Sequence, residues 1–189
     1  MLPIAKNCGI LVLLVSMLAI PSGSRASDLS PVELGPPATL SLPDLNGRER
    51  SLDEFAGQIL LVNFWASWCT PCITEMPSIQ RLAERMSSSS FRAIGVNVGE
   101  ARRRVQTVAG RLGIEFPVLL DTQSVVFNRW GAEVLPSTYI LDTEHRVRYV
   151  GRGPREWDSR EVTDLLTRLR EESRKPSDKA PPERERHAE

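Results

Sequence analysis

A nearly uninterrupted apolar run, Ile59–Phe64 (ILLVNF), constrains the fold more than any other feature of this chain. Such a run is typical of a strand that is covered on both faces, as in parallel sheets. Phe91–Val98 (FRAIGVNV) is a second run of this kind, and Thr70–Met86 between them is predicted to form a helix. Strand, helix and strand in this order predict a parallel pair joined by a right-handed crossover. Three shorter strands are predicted at 116–120, 137–141 and 147–150. The chain is therefore predicted to be an α/β sandwich.

Turn and periodicity signals place the smaller elements. Asn46-Gly47 lies between segments 38–42 and 48–52 and predicts a β-hairpin on the N-terminal side of the first buried strand. Apolar residues repeat with helical spacing over 105–112, and Gly113 is predicted to end that helix. These signals add a hairpin and a further helix to the sandwich.

The last helix has a predicted start signal. Asp158 and Glu161 match an N-cap box, and Trp157 is placed to pack against Val162 across it. The apolar stripe that follows runs to Leu169. The sequence therefore predicts one more amphipathic helix at the end of the folded part.

The first 26 residues are predicted to be a secretory signal peptide. The apolar segment Cys8–Ile20 follows a single cation, Lys6, and small residues at Ser24 and Ala26 suit a cleavage site. As a helix, this segment is shorter than the ~30 Å hydrocarbon core of a bilayer. An uncleaved membrane anchor formed by residues 2–20 is the alternative.

The remaining chain divides into three parts by composition. Residues 27–37 are predicted to be a linker, 38–172 the folded domain and 173–189 a disordered charged tail with little to bury. If the signal peptide is removed, Cys8 leaves with it. Cys69 and Cys72 then remain as the two cysteines of the exported protein.

Composition argues against several classes of function. The 24 basic and 24 acidic residues give a net charge of zero, which does not favour nucleic acid as a partner. Two histidines, His145 and His187, argue against a His-rich metal site, and three cysteines against a disulfide-stapled miniprotein. We expect neither a metal nor a cofactor.

The segment Trp65–Cys72 (WASWCTPC) follows a buried strand and begins a helix. Free N–H groups and the macrodipole at a helix N-terminus stabilise negative charge, so a thiolate there has a lowered pKa. Cys69 is predicted to be the exposed attacking thiol, and Cys72 the more buried thiol that resolves the mixed disulfide. Pro71 is compatible with the first helical turn.

Glu75 lies on the same predicted helix face as Cys72. The other residues of that face are apolar: Ile79, Leu82 and Met86. A carboxyl group on such a face is desolvated, which raises its pKa and suits it to exchange protons with Cys72. The alternative is a half-exposed surface glutamate at the edge of the stripe.

Other uses of the cysteine pair remain open at this point. Structural zinc lacks a second cysteine pair, and c-type haem attachment needs a histidine where Ile73 stands. A peroxidase, a structural disulfide and a Cu(I)-binding chaperone are further alternatives. An oxidase or isomerase differs from a reductase by the reduction potential of the pair.

Pro136 follows Leu135 directly before a predicted strand. A cis bond here would expose the backbone of Leu135 to a client segment that adds as a strand. The residues by themselves do not distinguish cis from trans.

Four segments, in this order and spacing, carry a resemblance to a known family: VNFWASWCTPCITEMP, IGVNVGE, FPVLLD and LPSTYILD. From about Pro36 to Leu169 the chain resembles the thioredoxin superfamily, specifically the extracytoplasmic ResA/TlpA/DsbE-type thiol-disulfide oxidoreductases. The resemblance implies a thioredoxin-like three-layer α/β/α sandwich, whose mixed sheet has an N-terminal β-hairpin and an inserted helix within 98–116.

The resemblance also implies roles for individual residues. Pro136 is expected to be cis and to face the cysteines, and Glu75 to tune the active site. Asn63 stands where thioredoxin has a buried aspartate, and because an amide does not shuttle protons, this favours Glu75 as the proton carrier. The residues expected to bind the client are Trp68, Thr70, Pro71, Leu135 and Pro136.

The function expected from the resemblance is reduction of client disulfides outside the cytoplasm, in the periplasm or an equivalent compartment. The implied clients are apocytochrome c or copper-site proteins. The implied electron donor is a membrane thiol transporter of the CcdA or DsbD type.

Overall fold

The computed structural model describes residues 29–33, 38–86 and 90–174. The predicted signal peptide or anchor, 1–26, lies outside the described residues, as does the tail from residue 175. Across the described part, none of the helices has the length and apolar character needed to cross a membrane.

The described residues form eight strands and four α-helices. The strands are β1 (Ser30–Pro31), β2 (Ser41–Pro43), β3 (Glu49–Ser51), β4 (Ile59–Trp65), β5 (Phe91–Val98), β6 (Val118–Asp121), β7 (Ser137–Leu141) and β8 (Val147–Arg152). The helices are α1 (Thr70–Arg85), α2 (Arg102–Arg111), α3 (Val125–Arg129) and α4 (Arg160–Arg174), and a 3₁₀ helix spans Leu52–Phe55.

The predicted mixed sheet is confirmed. Six strands lie in the order β1-β8-β7-β4-β5-β6, while β2 and β3 form a separate hairpin. The strands β4, β5 and β6 are parallel to one another. On the other side of β4, each strand is antiparallel to its neighbour: β7 to β4, β8 to β7 and β1 to β8. The first predicted apolar run is thus the central strand β4, with β5 on one side and β7 on the other.

Two hydrophobic clusters cover the two faces of the sheet. One contains Leu61, Trp65 and Ile140 of the sheet together with buried residues of α1, α2 and α4. The other contains Leu60 and Phe64 together with buried residues of the 3₁₀ helix and α3. Alternate residues of β4 therefore face opposite layers, as the three-layer sandwich requires.

Two sequence predictions about local structure differ from the structure. The first concerns Asp158, which is not the N-cap of the last helix. Ser159 takes that place, since its Oγ accepts the N–H of Val162 at 3.4 Å, while Asp158 binds Arg81 at 2.7 Å. Asp and Ser are about equally favourable at an N-cap position. Here Asp158 binds Arg81 instead, and Ser159 caps the helix.

The second difference lies within the predicted linker. Ser30–Pro31 pair with Val150 and Tyr149 of β8 as the edge strand β1. Two residues of backbone pairing leave no hydrophobic pattern in the sequence, which is why the strand was not predicted.

Gly95 provides a test of the packing beneath the cysteine loop, the segment 66–69 that joins β4 to α1 and ends at Cys69. A Cβ at this position would lie 3.1 Å from Phe116 Cε2 and 3.2 Å from Trp65 Nε1, both on buried side chains. We expect Gly95→Ala to lower the free energy of unfolding by about 1–3 kcal/mol in urea denaturation, because the added methyl group overpacks the core. Gly110→Ala is the control, since nothing lies within 4 Å of that Cβ. It should instead stabilise helix α2 by about 0.5–1 kcal/mol. Equal stability of Gly95→Ala and wild type would contradict the described packing.

Candidate active site

The two cysteines lie at the start of α1 and form a disulfide. Cys69 is the N-cap of α1, and its Sγ accepts the N–H of Cys72 at 3.3 Å. The side chain therefore occupies the position in which Ser or Asp oxygens usually satisfy a free helical N–H. Negative charge that develops on this sulfur is stabilised by the same N–H and by the helix dipole.

The two cysteines differ in exposure to solvent. Cys69 retains 6% of its surface, whereas Cys72 is fully buried. Of the two residues, Cys69 is therefore the one with surface open to solvent. This difference matches the prediction that Cys72 is the more buried residue of the two, while the order of attack stays a prediction.

Glu75 is buried on the inner side of α1, so the alternative of a half-exposed surface residue is wrong. It is 2% exposed and accepts three hydrogen bonds. Asn63 Nδ2 donates to Oε1 at 2.7 Å, while the indole N–H of Trp157 and the backbone N–H of Arg155 donate to Oε2 at 3.0 and 3.1 Å. Burial raises the pKa of Glu75 to about 7, although these donors and the Arg155 charge oppose the rise.

Asn63 links Glu75 to β7, the strand that follows Pro136. Its Nδ2 also donates to Thr138 Oγ1 at 2.8 Å, and its Oδ1 has no hydrogen-bond partner among the described residues. A protonated Glu75 would need an acceptor instead of a donor. Rotation of the Asn63 amide would provide one, because it exchanges Nδ2 for Oδ1.

The Leu135–Pro136 peptide bond is cis, as the resemblance implies. Leu135 is half-buried, and Pro136 is buried directly before β7. Ser137 pairs with Phe64 across the sheet, so this loop adjoins the end of β4 from which the cysteine loop departs.

The remaining residues predicted to bind a client lie around the disulfide. Thr70 and Pro71 are exposed in the first turn of α1, and Trp68 is 64% exposed. An exposed tryptophan next to Cys69 provides an apolar contact surface.

Sequence reasoning missed several partners of the site. Trp157 and Arg155 contact Glu75 from about 80 residues away, and Glu100 contacts Ser67 in the cysteine loop. The clearest available signal was the segment VNVGE, in which Glu100 follows a buried strand.

Comparisons with known proteins place this geometry in a family. The AhpC/TSA family matches residues 35–150. The thiol-disulfide oxidoreductase ResA of Geobacillus thermodenitrificans is 37% identical over 112 residues, which is 59% of this chain. The match spans 64% of that relative, which is less than two thirds of its length.

Solved structures show the same fold. A thiol:disulfide interchange protein of the thioredoxin family from Chlorobium tepidum is 28% identical, with a TM-score of 0.62, and the match covers 72% of this chain and 99% of that one. A structure described as DsbE from Chlorobium tepidum has a TM-score of 0.68 at 20% identity, covering 75% of this chain and 99% of that one. With the family match over more than half of its length, the chain belongs to the AhpC/TSA family and has a thioredoxin-like fold.

Proposed function

We propose that this protein is an extracytoplasmic protein-disulfide reductase. The observation that carries the proposal is the Cys69–Cys72 disulfide at the N-terminus of α1, with solvent access at Cys69 and the acid Glu75 buried behind it. The similarity to proteins named thiol-disulfide oxidoreductase and thiol:disulfide interchange protein supports the same reaction class.

The reaction begins from the reduced protein. The Cys69 thiolate attacks one sulfur of a client disulfide, and the other client sulfur leaves as a thiolate. Cys72 then loses its proton and attacks Cys69 Sγ, which releases the second client thiolate. Two electrons have moved to the client, and the product is the Cys69–Cys72 disulfide that the structure contains.

Glu75 serves the second step as a proton carrier. It lies three residues after Cys72 on the buried side of α1, and its pKa of about 7 is close to ambient pH. A group with such a pKa both accepts and returns protons efficiently. We assign it the proton that Cys72 loses when it becomes the attacking thiolate.

Client binding is proposed at the surface that surrounds the disulfide. Trp68, Thr70 and Pro71 supply one side of this surface, and the backbone of the half-buried Leu135 supplies the edge to which an extended client segment adds. The clients are proteins with disulfides, and apocytochrome c or copper-site proteins are the proposed examples. A membrane thiol donor of the CcdA or DsbD type would regenerate the dithiol.

The proposed location is the periplasm or another extracytoplasmic space. The apolar segment Cys8–Ile20 supports export or anchoring at the N-terminus. Client disulfides persist in such compartments, whereas cytosolic thiols are kept reduced.

The test uses the reduced protein and an oxidised peptide with a Cys-x-x-Cys-His sequence. We expect transfer of the disulfide from the peptide to the protein, with an equilibrium constant that shows the Cys69–Cys72 dithiol to be a stronger reductant than the peptide dithiol. A difference of ~30 mV between the two reduction potentials corresponds to about a tenfold change in that equilibrium constant. Equilibrium in the opposite direction would support the oxidase alternative. No exchange at all, while dithiothreitol still reduces the protein disulfide, would refute the proposed function.

A further inference from the structure

A second buried carboxylate, Glu100, binds the loop that leads into Cys69. Its side chain is 5% exposed, between the end of β5 and the start of α2. One oxygen accepts the backbone N–H of Ser67 at 2.6 Å, and the other accepts the Ser67 hydroxyl at 2.5 Å. Asn97 Nδ2 adds a third bond at 2.8 Å. A single carboxylate thus binds both the backbone and the side chain of one loop residue.

Arg104 completes the arrangement from the first turn of α2. Its Nε lies 2.9 Å from Glu100 Oε1 and 2.7 Å from Ser67 Oγ. Glu100, Ser67 and Arg104 therefore form a closed triangle of polar contacts, which we call the Glu100 clamp. It joins the inserted helix α2 to the middle of the cysteine loop.

The charges favour an ionised Glu100. Burial alone would raise the pKa of Glu100, but the bonds from Ser67 and Asn97 and the charge of Arg104 hold it below its ordinary value. Helix α2 begins with Arg102, Arg103 and Arg104, whose positive charges oppose the dipole at a helix N-terminus. The negative charge just before this helix offsets them, so the clamp and the helix start stabilise each other.

The clamped residue is next to the groups that a client would meet. Ser67 precedes Trp68, which is 64% exposed, and Trp68 precedes Cys69. The N–H of Cys69 donates to the Ala66 carbonyl at 3.2 Å, so Ser67 and Trp68 lie within one tight turn. Fixing Ser67 within a turn of this size also restricts where Trp68 and Cys69 Sγ are placed.

We propose that Glu100 is a positioning residue for disulfide exchange: through Ser67 it fixes Trp68 and Cys69 so that a client disulfide meets Sγ in line for attack. The proposal rests on the proposed function. The proposal also assigns a role to the inserted helix α2, which supplies Arg104 to the clamp.

The test combines a structural readout with a kinetic one. The four tryptophans are labelled with 5-fluorotryptophan, and the Trp68 fluorine resonance is assigned with Trp68→Phe. The clamp is opened by Glu100→Gln and, independently, by Ser67→Ala. Asp121→Asn is the control, since Asp121 is also a buried carboxylate and accepts the N–H groups of Val125 and Phe127.

We expect both clamp variants to shift and narrow the fluorine resonance of Trp68. We also expect the rate constant for disulfide transfer from the oxidised Cys-x-x-Cys-His peptide to fall by about tenfold, because the reacting groups are misplaced. Reduction of the protein disulfide by dithiothreitol, which needs no docking surface, should stay within about twofold of wild type. The control should leave the resonance unchanged.

Either of two results would overturn the proposal. One is a Trp68 resonance identical to wild type in both clamp variants. The other is an equal loss of peptide and dithiothreitol rates, matched by the control, which would indicate general destabilisation. If wild type itself fails to react with the peptide, the proposed function is wrong, while the fluorine spectra still decide whether the clamp positions Trp68.

Discussion

Replacement of Cys69 by Ser is expected to abolish transfer of a disulfide from the oxidised peptide, lowering the rate by at least about 10³-fold. The hydroxyl that replaces the thiol is a far weaker nucleophile, because it does not ionise near neutral pH. Single-turnover release of peptide thiols measures this loss.

Cys72→Ser is the matched comparison for this variant. Both variants lose the disulfide, so any loss of stability is shared and does not explain a difference between them. Cys72→Ser should still release one peptide thiol in the first step and then stop. Equal rates of first thiol release in the two variants would contradict the assignment of Cys69 as the attacking residue.

Glu75→Gln is expected to remove a large part of the pH dependence of stability. The folded protein holds the Glu75 proton up to about pH 7, whereas the unfolded chain loses it near 4.5. A group whose pKa is raised on folding contributes stability that is fully present below the unfolded pKa and lost as pH rises through the folded one. The difference between 4.5 and about 7 corresponds to about 3 kcal/mol lost between pH 4 and 8.

The measurement is urea unfolding of the oxidised protein at pH 4 to 8. Wild type should lose about 3 kcal/mol more across this range than Glu75→Gln, whose amide does not titrate. The control is Glu84→Gln, at an exposed position of the same helix, and it should keep the wild-type slope. In the reduced protein, Glu75→Gln should also slow the resolving step by about 10²-fold, since Cys72 loses its proton acceptor. A wild-type pH slope in Glu75→Gln would mean that Glu75 does not titrate in this range.

The part of the site that is local in sequence was predictable. The apolar run before WASWCTPC fixed the order of strand, loop and helix, and helical spacing placed Glu75 on the face of Cys72. The same spacing left open whether Glu75 is buried or lies half-exposed at the edge of the apolar stripe, and the structure shows it to be buried.

The partners of Glu75 were not predictable from local pattern. Trp157 was expected to pack against Val162, yet its indole N–H also donates to Glu75 across 82 residues. Such a bond depends on how α4 and its preceding loop dock on α1, which no periodicity describes. The contact between Ser67 and Glu100 was not predictable for the same reason, because it joins two loops that are 33 residues apart in the sequence.

The most direct measurement of the central claim is the identity of the sulfur that a client captures. Cys72→Ser is reacted with the oxidised Cys-x-x-Cys-His peptide, the product is digested without reduction, and the linked fragments are identified by mass spectrometry. We expect the peptide to be joined to Cys69 in a single mixed disulfide. A protein that remains unlinked, while its Cys69 thiol still reacts with a small alkylating reagent, would contradict the claim that this thiol exchanges disulfides with other proteins.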